Sequence, residues 1–195
     1  MNTNINTKEG IRKQIRRWRN ELTPDWITER SRSIVDKFVA LEEFKNAETI
    51  CLYIAITGEA RLDAMIEECW QQGKRVLVPA YRKESDDYGF KSVKEDTKMI
   101  QGLWDVPEPD VSEWSTVGSG DICIAVPGVA FDNSGVRVGH GKGYYDRLLA
   151  FTKKRTNCTK VGIGFDFQRF STLPCEEWDI GMDIVLSESH ITHKT

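Results

Sequence analysis

The first forty residues of the chain place apolar side chains at helical spacing. Apolar residues recur at intervals of four, three and four between Ile11 and Leu22, which predicts a helix over Lys8–Leu22. A second helix is predicted to begin at Pro24, because Thr23 can cap it and proline suits the first helical position. The first helix also carries a basic face, which is made of Lys8, Arg12, Lys13, Arg16, Arg17 and Arg19.

From residue 49 onward, short apolar runs alternate with helical segments. The runs predict strands at Thr49–Ala55, Arg75–Pro79, Asp121–Val126, Val161–Phe165 and Asp183–Leu186. Helices are predicted at Arg61–Gln72 and Tyr144–Phe151, and a hairpin around Asp86–Gly89. This alternation is typical of a mostly parallel sheet with helices on both faces. We therefore expect an α/β protein with a single three-layer domain over residues 1–195, since no repeat, low-complexity segment or linker interrupts the pattern.

Composition narrows the functional classes. Of the 195 residues, 39% are hydrophobic and 29% are charged, as in a globular protein, and the net charge of -3 disfavours a nucleic-acid-binding protein. No apolar stretch approaches the roughly 18 residues of a membrane span, and residues 1–7 lack the pattern of a secretory signal. The five cysteines include no C-x-x-C pair, as expected for reduced thiols. We therefore expect a cytoplasmic protein without nucleic-acid or membrane partners.

The most informative segment lies between a predicted strand that ends near Val126 and a helix that opens at Tyr144. It contains glycines at positions 135, 139, 141 and 143. Ligands of open α/β sheets bind beyond the carboxyl ends of strands, and a glycine loop before a helix can hold phosphate through its backbone N–H groups. Arg137 and Lys142 would add positive charge. The loop matches neither a P-loop nor a dinucleotide fingerprint, so spacing alone leaves open both a phosphate site and a flexible turn.

Two adjoining sequence blocks resemble a known family. The sequence PGVAFD at 127–132, followed by G-x-R-x-G-x-G-K-G-Y-Y-D-R at 135–147, is similar to the signature of the 5-formyltetrahydrofolate cyclo-ligases, also called methenyltetrahydrofolate synthetases. The chain departs from this family at His140, where relatives often carry arginine, and at Trp178, where a polar residue is common. Further similar segments occur in the family's order: Lys8 with Arg12 as K-x-x-x-R, Tyr53–Glu59, Gly102–Pro109 and Phe165–Asp179.

The resemblance implies a fold similar to that of sugar-phosphate isomerases and CoA transferases, and an ATP-dependent reaction. The formyl oxygen of 5-formyltetrahydrofolate attacks the γ-phosphate of ATP. Ring closure then expels phosphate and leaves 5,10-methenyltetrahydrofolate and ADP. The implied partners are ATP and 5-formyltetrahydrofolate, the implied metal is Mg²⁺, and the expected state is a monomer or weak homodimer.

The site residues that the resemblance implies fall into four groups. The catalytic residues are Lys142, Tyr144 and Arg137. The ATP-binding residues are Lys8, Arg12, Arg137, Gly139, His140, Gly141, Lys142, Gly143, Tyr144 and Tyr145. The folate contacts are Ile54, Glu59, Trp104 and Tyr144. The ligands of Mg²⁺ are Asp146 and Asp179.

Several alternatives stay open at the level of sequence. Arg12 could contact ATP phosphate or attract the glutamate tail of folate, and a basic helix face is often simply solvated. Asp146 could serve only to favour a helix start, and Trp104 could be ordinary core. The same scaffold could also support a sugar-phosphate isomerase, a CoA transferase or a non-catalytic protein that binds a phosphorylated metabolite.

Overall fold

The computed structural model describes residues 7–103 and 106–194, which form five α-helices and twelve strands in an α/β arrangement. The helices are α1 Lys8–Arg19, α2 Pro24–Ala40, α3 Glu42–Asn46, α4 Asp63–Gln71 and α5 Tyr144–Leu148. The first six strands are β1 Thr49–Cys51, β2 Arg75–Arg82, β3 Asp87–Val93, β4 Met99–Gln101, β5 Pro107–Pro109 and β6 Ile122–Pro127. The other six are β7 Ala130–Asp132, β8 Arg137–Val138, β9 Cys158–Ile163, β10 Arg169–Phe170, β11 Ile184–Leu186 and β12 Ile191–His193.

The main sheet has seven strands in the order β12-β11-β9-β6-β1-β2-β3. The five inner strands are parallel, while β3 and β12 pair antiparallel at the two edges. This arrangement confirms the predicted mostly parallel sheet. The carboxyl ends of the five parallel strands therefore meet at one edge, where ligands bind in folds of this kind. Two small sheets, β10-β7-β8 and β4-β5, accompany the main sheet.

Both faces of the main sheet are buried, as the continuous apolar strands predict. Along β6, Cys123 and Ala125 face one core, while Ile122, Ile124 and Val126 face another. The first core is completed by residues of α2, α3 and α4, and the second by residues of α5 and the segment after it. Helix α1 lies against the small sheet through a third cluster. Within the described residues, no helix is long and apolar enough to cross a membrane.

Two predicted helices end earlier than the sequence pattern indicates. Helix α1 stops at Arg19, and Leu22 instead leads into the Thr23 cap of α2, whose hydroxyl accepts a bond from Trp26 N. Helix α5 stops at Leu148 and continues as a 3₁₀ turn over Ala150–Lys154. That turn is tightened because the backbone N–H and the hydroxyl of Thr152 both donate to the carbonyl of Leu149. Apolar spacing continues across both sites and therefore cannot mark the boundaries.

The strands differ from prediction mainly at their carboxyl ends. Strand β1 ends at Cys51, and the chain then leaves the sheet although the next two side chains stay buried. Strand β2 runs on to Arg82, because it pairs with β3 along its whole length. This pairing confirms a hairpin, but its turn lies at 83–86, earlier than predicted, because Asp87, Tyr88 and Gly89 already belong to β3. The sequence pattern did not predict α3, β4, β5, β7, β8, β10 or β12, all of which have five residues or fewer.

The ring of Phe131 lies on glycines at the ends of two neighbouring strands. A Cβ atom added at Gly128 would lie 2.5 Å from Cζ of Phe131, and one at Gly162 would lie 2.6 Å from Cε1. Real Cβ atoms do not approach other atoms so closely, so only glycine leaves space for this ring. Phe131 is fully buried, and it thereby fixes the small sheet against the carboxyl ends of β6 and β9.

We expect Gly162→Ala to lower the free energy of unfolding by about 1–3 kcal/mol, because the new methyl group overlaps a buried ring that cannot move aside. Urea denaturation followed by circular dichroism measures this loss. The same substitution should cost less in a Phe131→Leu background, where the smaller side chain leaves room. An equal cost in both backgrounds would contradict the contact.

Candidate active site

The candidate site lies where the carboxyl ends of β1 and β6 meet the loop before α5. Glu59, in the segment after β1, is 6% exposed and lies 3.4 Å from Nη1 of Arg19. Nε2 of His140, in the glycine loop, lies 3.4 Å from the same Oε1 atom of Glu59. The other guanidinium nitrogen of Arg19 donates to the carbonyl of Gly128, just beyond β6, at 2.8 Å. Helix α1 and the glycine loop therefore converge on one carboxylate, and Arg19 links that carboxylate to the end of β6.

Helix α1 divides its basic residues between two directions. Lys8, Arg12 and Arg19 turn toward the protein, with side chains that are 18%, 19% and 8% exposed. Arg17, in contrast, is 82% exposed. The spacing of the three inward residues places them on one helical face with Ile15. The single basic face expected from the sequence is therefore wrong: half of those cations belong to the buried face of the helix.

The glycine loop is held against α1 by Arg12. Its Nε atom donates to the carbonyl of Gly139 at 2.8 Å, and its guanidinium carbon would lie 3.2 Å from a Cβ atom at Gly141. Gly141 and Gly143 have φ angles of 96° and 66°, in the left-handed region that favours glycine. Within residues 7–103 and 106–194, no hydrogen bond uses the N–H groups at positions 140–142. These N–H groups remain available to an anion.

Arg137 and Asp146 form a partly buried ion pair behind this loop. Nη2 of Arg137 donates to Oδ1 of Asp146 at 2.8 Å, and the guanidinium carbon lies 5.8 Å from the centre of the Tyr145 ring. Burial raises the pKa of Tyr145 well above its ordinary value, and the nearby Glu59 carboxylate raises it further. The Tyr145 hydroxyl is therefore neutral near pH 7 and can act as a donor.

Asp179 pairs with the first cation of α1. Nζ of Lys8 lies 2.6 Å from Oδ2 of Asp179 and 2.5 Å from Oε2 of Glu176. Asp179 also accepts the backbone N–H of Glu176 at 2.8 Å, which fixes this carboxylate. Burial lowers the pKa of Lys8, but the bonds to Asp179 and Glu176 raise it more, so that its pKa exceeds the ordinary value. A residue assigned to ATP thus contacts one assigned to Mg²⁺.

The two aspartates have the chemistry of Mg²⁺ ligands, although each is already neutralised by a cation. Hard divalent ions prefer carboxylate and phosphate oxygens, often with only one or two carboxylates from the protein. Asp146 is held by Arg137, and Asp179 by Lys8. Within the described part of the chain, no group of three or more metal-ligating side chains is present. The donor set therefore fits an ion that arrives with a nucleotide better than an ion held by the protein alone.

Tyr144 belongs to an aromatic cluster on the β2–β3 hairpin. Its ring meets that of Tyr88 edge to face at 5.0 Å, and the guanidinium of Arg147 lies 4.8 Å from its centre. Its hydroxyl donates to Oδ1 of Asp86 at 3.4 Å, and Asp86 also accepts the Tyr81 hydroxyl at 2.9 Å. Burial, together with the nearby Glu108 and Tyr144, raises the pKa of Tyr88 to about 12. Tyr88 thus presents a neutral ring at pH 7.

The remaining predicted residues lie at the margins of this arrangement. Lys142 is exposed in the glycine loop, and its carbonyl accepts a bond from Arg147 at 3.2 Å. Ile54 is partly buried and packs against the first core. Trp104 lies outside the residues that the structure describes.

Three buried polar residues near the site were missed by sequence reasoning. Arg19 was counted only as part of a basic face, although its helical spacing with Ile11 and Ile15 could have indicated an inward cation. Asp132 accepts four hydrogen bonds, including one from Leu173 N at 2.9 Å, and so fixes the turn that follows β7. Gln168 donates to the carbonyls that follow β6. No local pattern distinguishes Gln168 from an exposed glutamine.

The arrangement combines the features needed for a reaction between an anionic and an aromatic ligand. Open N–H groups and the cations Lys8, Arg12 and Lys142 can neutralise phosphate charge on one side. The Glu59 carboxylate and the tyrosine rings can hold a flat heterocycle with N–H donors on the other. Two contacts connect these sides: the hydrogen bond from Arg12 to the carbonyl of Gly139, and the contact between His140 and Glu59.

Comparison with known proteins identifies relatives over nearly the whole chain. The sequence model of the 5-formyltetrahydrofolate cyclo-ligase family matches residues 4–188. The 5-formyltetrahydrofolate cyclo-ligase of Haemophilus influenzae is 30% identical over 185 residues, which cover 94% of this chain and 98% of that protein. The enzyme of the same name from Escherichia coli is 30% identical over 180 residues, which cover 91% and 98% of the two chains.

Solved structures of the same family share the fold. The 5,10-methenyltetrahydrofolate synthetase of Aquifex aeolicus superposes with a TM-score of 0.81 at 33% identity, covering 95% of this chain and 92% of that chain. The synthetase of Mycoplasma pneumoniae gives a TM-score of 0.71 at 26% identity, with coverage of 93% and 98%. These relatives confirm the resemblance seen in the sequence and do not favour the isomerase or transferase alternatives. The chain therefore belongs to the 5-formyltetrahydrofolate cyclo-ligase family.

Proposed function

We propose that the protein closes the ring of 5-formyltetrahydrofolate at the expense of ATP. The formyl oxygen attacks the γ-phosphorus and breaks its bond to ADP. The neighbouring aniline-type nitrogen then attacks the phosphorylated formyl carbon and loses its proton. The C–O bond breaks, phosphate leaves, and 5,10-methenyltetrahydrofolate is formed. The formyl oxygen is recovered in the phosphate, so all atoms are accounted for.

The phosphate side of the proposal rests on α1 and the glycine loop. Phosphoryl transfer needs positioning and charge neutralisation more than covalent help from the protein. The loop N–H groups at positions 140–142 would bind phosphate oxygens, and Lys142 is exposed beside them. Arg12, fixed on Gly139, would add charge from the helix side. The Arg137 guanidinium lies behind the loop, where it would support the phosphate indirectly through Asp146 and the backbone.

The folate side rests on Glu59 and the rings around it. The carboxylate would accept hydrogen bonds from pterin N–H groups, and Ile54 would border the apolar slot. Tyr144 lies at the edge of the hairpin cluster and would face the ring system. The loop around Trp104 is the remaining folate contact that the resemblance implies.

Mg²⁺ would enter this site with ATP, held by phosphate oxygens and by Asp146 and Asp179. The ion would neutralise phosphate charge. Because the two carboxylates pair with Arg137 and Lys8, its binding would require the partial release of these cations toward the nucleotide. We further propose a cytoplasmic location and a monomer or weak homodimer as the working state.

One observation carries the proposal: the open glycine loop and the buried Glu59 carboxylate meet at a single edge of the sheet, joined by the contact between His140 and Glu59. An enzyme that transfers a phosphoryl group from ATP to a folate needs these two subsites side by side. A protein that only binds a phosphorylated metabolite would have no need of the subsite at Glu59.

The direct test is to mix purified protein, Mg-ATP and 5-formyltetrahydrofolate and to follow absorbance near the methenyl chromophore. We expect product to form in proportion to the enzyme concentration, with one ADP released per ring closed. The same mixture without ATP is the control. ADP release that is independent of folate, or no methenyl product at all, would contradict the proposed reaction.

Lys142→Ala should lower turnover by about 10²-fold or more, because a cation that stabilises transferring phosphate contributes about 3 kcal/mol or more. Initial rates at saturating substrates measure the effect. Lys154→Ala is the matched control, since Lys154 is also exposed but lies in the 3₁₀ turn after α5. Equal rates in both variants would remove Lys142 from the site.

Asp146→Asn and Asp179→Asn should each raise the Mg²⁺ concentration needed for half-maximal rate, because an amide is a weaker ligand than a carboxylate. Folate binding without nucleotide should stay near normal in both variants. Asp183→Asn is the control, since Asp183 pairs with Lys160 at 2.7 Å before β11. A magnesium titration that gives the same midpoint for all three variants would show that the two site aspartates only pair with cations.

A further inference from the structure

Arg19 is the most deeply buried of the basic residues on α1 and connects three parts of the site. Its guanidinium lies 3.4 Å from Glu59 and donates to the carbonyl of Gly128 at 2.8 Å. Its aliphatic stem passes directly beneath Gly58, where an added Cβ atom would lie 2.7 Å from Cβ of Arg19. The side chain therefore touches the residue before Glu59, the carboxylate itself and the end of β6.

The Glu59 carboxylate retains capacity to accept further hydrogen bonds. Its contacts with Arg19 and His140 are 3.4 Å long, and its bond from the N–H of Ile56 is 3.3 Å long. Strong bonds to carboxylates are about 2.7–2.9 Å long, so these contacts orient the group without saturating its lone pairs. The acceptor positions that remain are suited to N–H donors of a ligand.

Arg19 is also the buried positive charge that Glu59 needs. Among residues 7–103 and 106–194, only Arg19 and His140 form ion pairs with Glu59, and the His140 side chain is half exposed. A charge in the interior is costly unless an opposite charge lies beside it. Arg19 supplies that charge from the helix side, so it stabilises and orients the Glu59 carboxylate that would receive the N–H groups of a pterin.

We propose that Arg19 is a positioning residue for folate, acting through Glu59. The inference rests on the proposed function, because it takes 5-formyltetrahydrofolate as the ligand of Glu59. Arg12 on the same helix contacts the glycine loop at Gly139. Helix α1 would therefore align the Glu59 carboxylate with the phosphate side of the site. The hydrogen bonds of Arg19 run to Glu59 and to Gly128 rather than to the glycine loop, so its removal should affect folate selectively.

The test compares five variants with the unaltered protein. Arg19→Met keeps the stem under Gly58 and removes the charge, whereas Arg19→Lys keeps the charge with a single nitrogen. The double variant Arg19→Met/Glu59→Gln removes both charges, so that no unpaired charge is buried, and is compared with Glu59→Gln. Arg17→Met is the matched control, because Arg17 lies on the same helix with its side chain 82% exposed. Calorimetry gives the Kd of 5-formyltetrahydrofolate without nucleotide, and steady-state kinetics gives the KM of ATP.

We expect Arg19→Met to raise the folate Kd by about tenfold or more, a loss of about 1.4 kcal/mol, and to leave the KM of ATP within about twofold. Arg19→Lys should recover part of the lost affinity. Arg17→Met should leave the folate Kd unchanged. The double variant should bind folate about as weakly as Glu59→Gln, because Arg19 has no role once the carboxylate is gone.

Three results would overturn the role of Arg19: an unchanged folate Kd in Arg19→Met, an equal rise in both constants, or a double variant whose loss is the product of the single losses. Each would indicate a purely structural residue. The proposed function fails separately, if the unaltered protein does not bind 5-formyltetrahydrofolate or forms no methenyl product. Absence of binding overturns both proposals, whereas binding without product leaves the Arg19 comparison decisive by calorimetry.

Discussion

A charge that leaves water must be paired, and this constraint organises the whole candidate site. Three cations turn inward, and each meets a carboxylate: Lys8 with Asp179 and Arg19 with Glu59, from distant parts of the chain, and Arg137 with Asp146, nine residues further on. Breaking a buried pair leaves an uncompensated charge, which is costly. The pairs therefore fix how α1, the glycine loop and the segment after β10 come together at the sheet edge.

The same pairs make the site responsive to its ligands. Asp146 and Glu176 are more exposed than their cationic partners, and Asp179 is about as buried as Lys8, so incoming phosphate or metal can reach both pairs from the open side. A nucleotide would draw the cations toward its phosphates, and a divalent ion would take over the carboxylates. The Arg19 and Glu59 pair differs, since both groups are almost fully buried and this carboxylate is held in place. The phosphate side is thus suited to exchange of partners, and the folate side to rigid recognition.

Short elements at the sheet edge provide the mechanical support. Asp132 fixes the turn after β7 through four accepted bonds, and Gln168 ties the 3₁₀ turn before β10 to the end of β6. Phe131 lies between them on glycines that leave space for its ring. The PGVAFD segment thus holds the end of β6 in place next to the site. The glycine loop provides the groups that can bind ligands.

The sequence by itself determined the class of fold, the family and the segment with the glycine loop. Apolar periodicity marked the main strands and helices because it reflects burial on a local, regular pattern. It could not mark the ends of α1, β1 and α5, because capping bonds and strand partners determine where these elements stop. The spacing of Arg19 with Ile11 and Ile15 sets it apart from Arg17, but this periodicity could not identify the carboxylate that pairs with it. Only the tertiary structure decided which cations are buried and which carboxylates pair with them, because partners such as Arg19 and Glu59 are 40 residues apart and meet through packing alone.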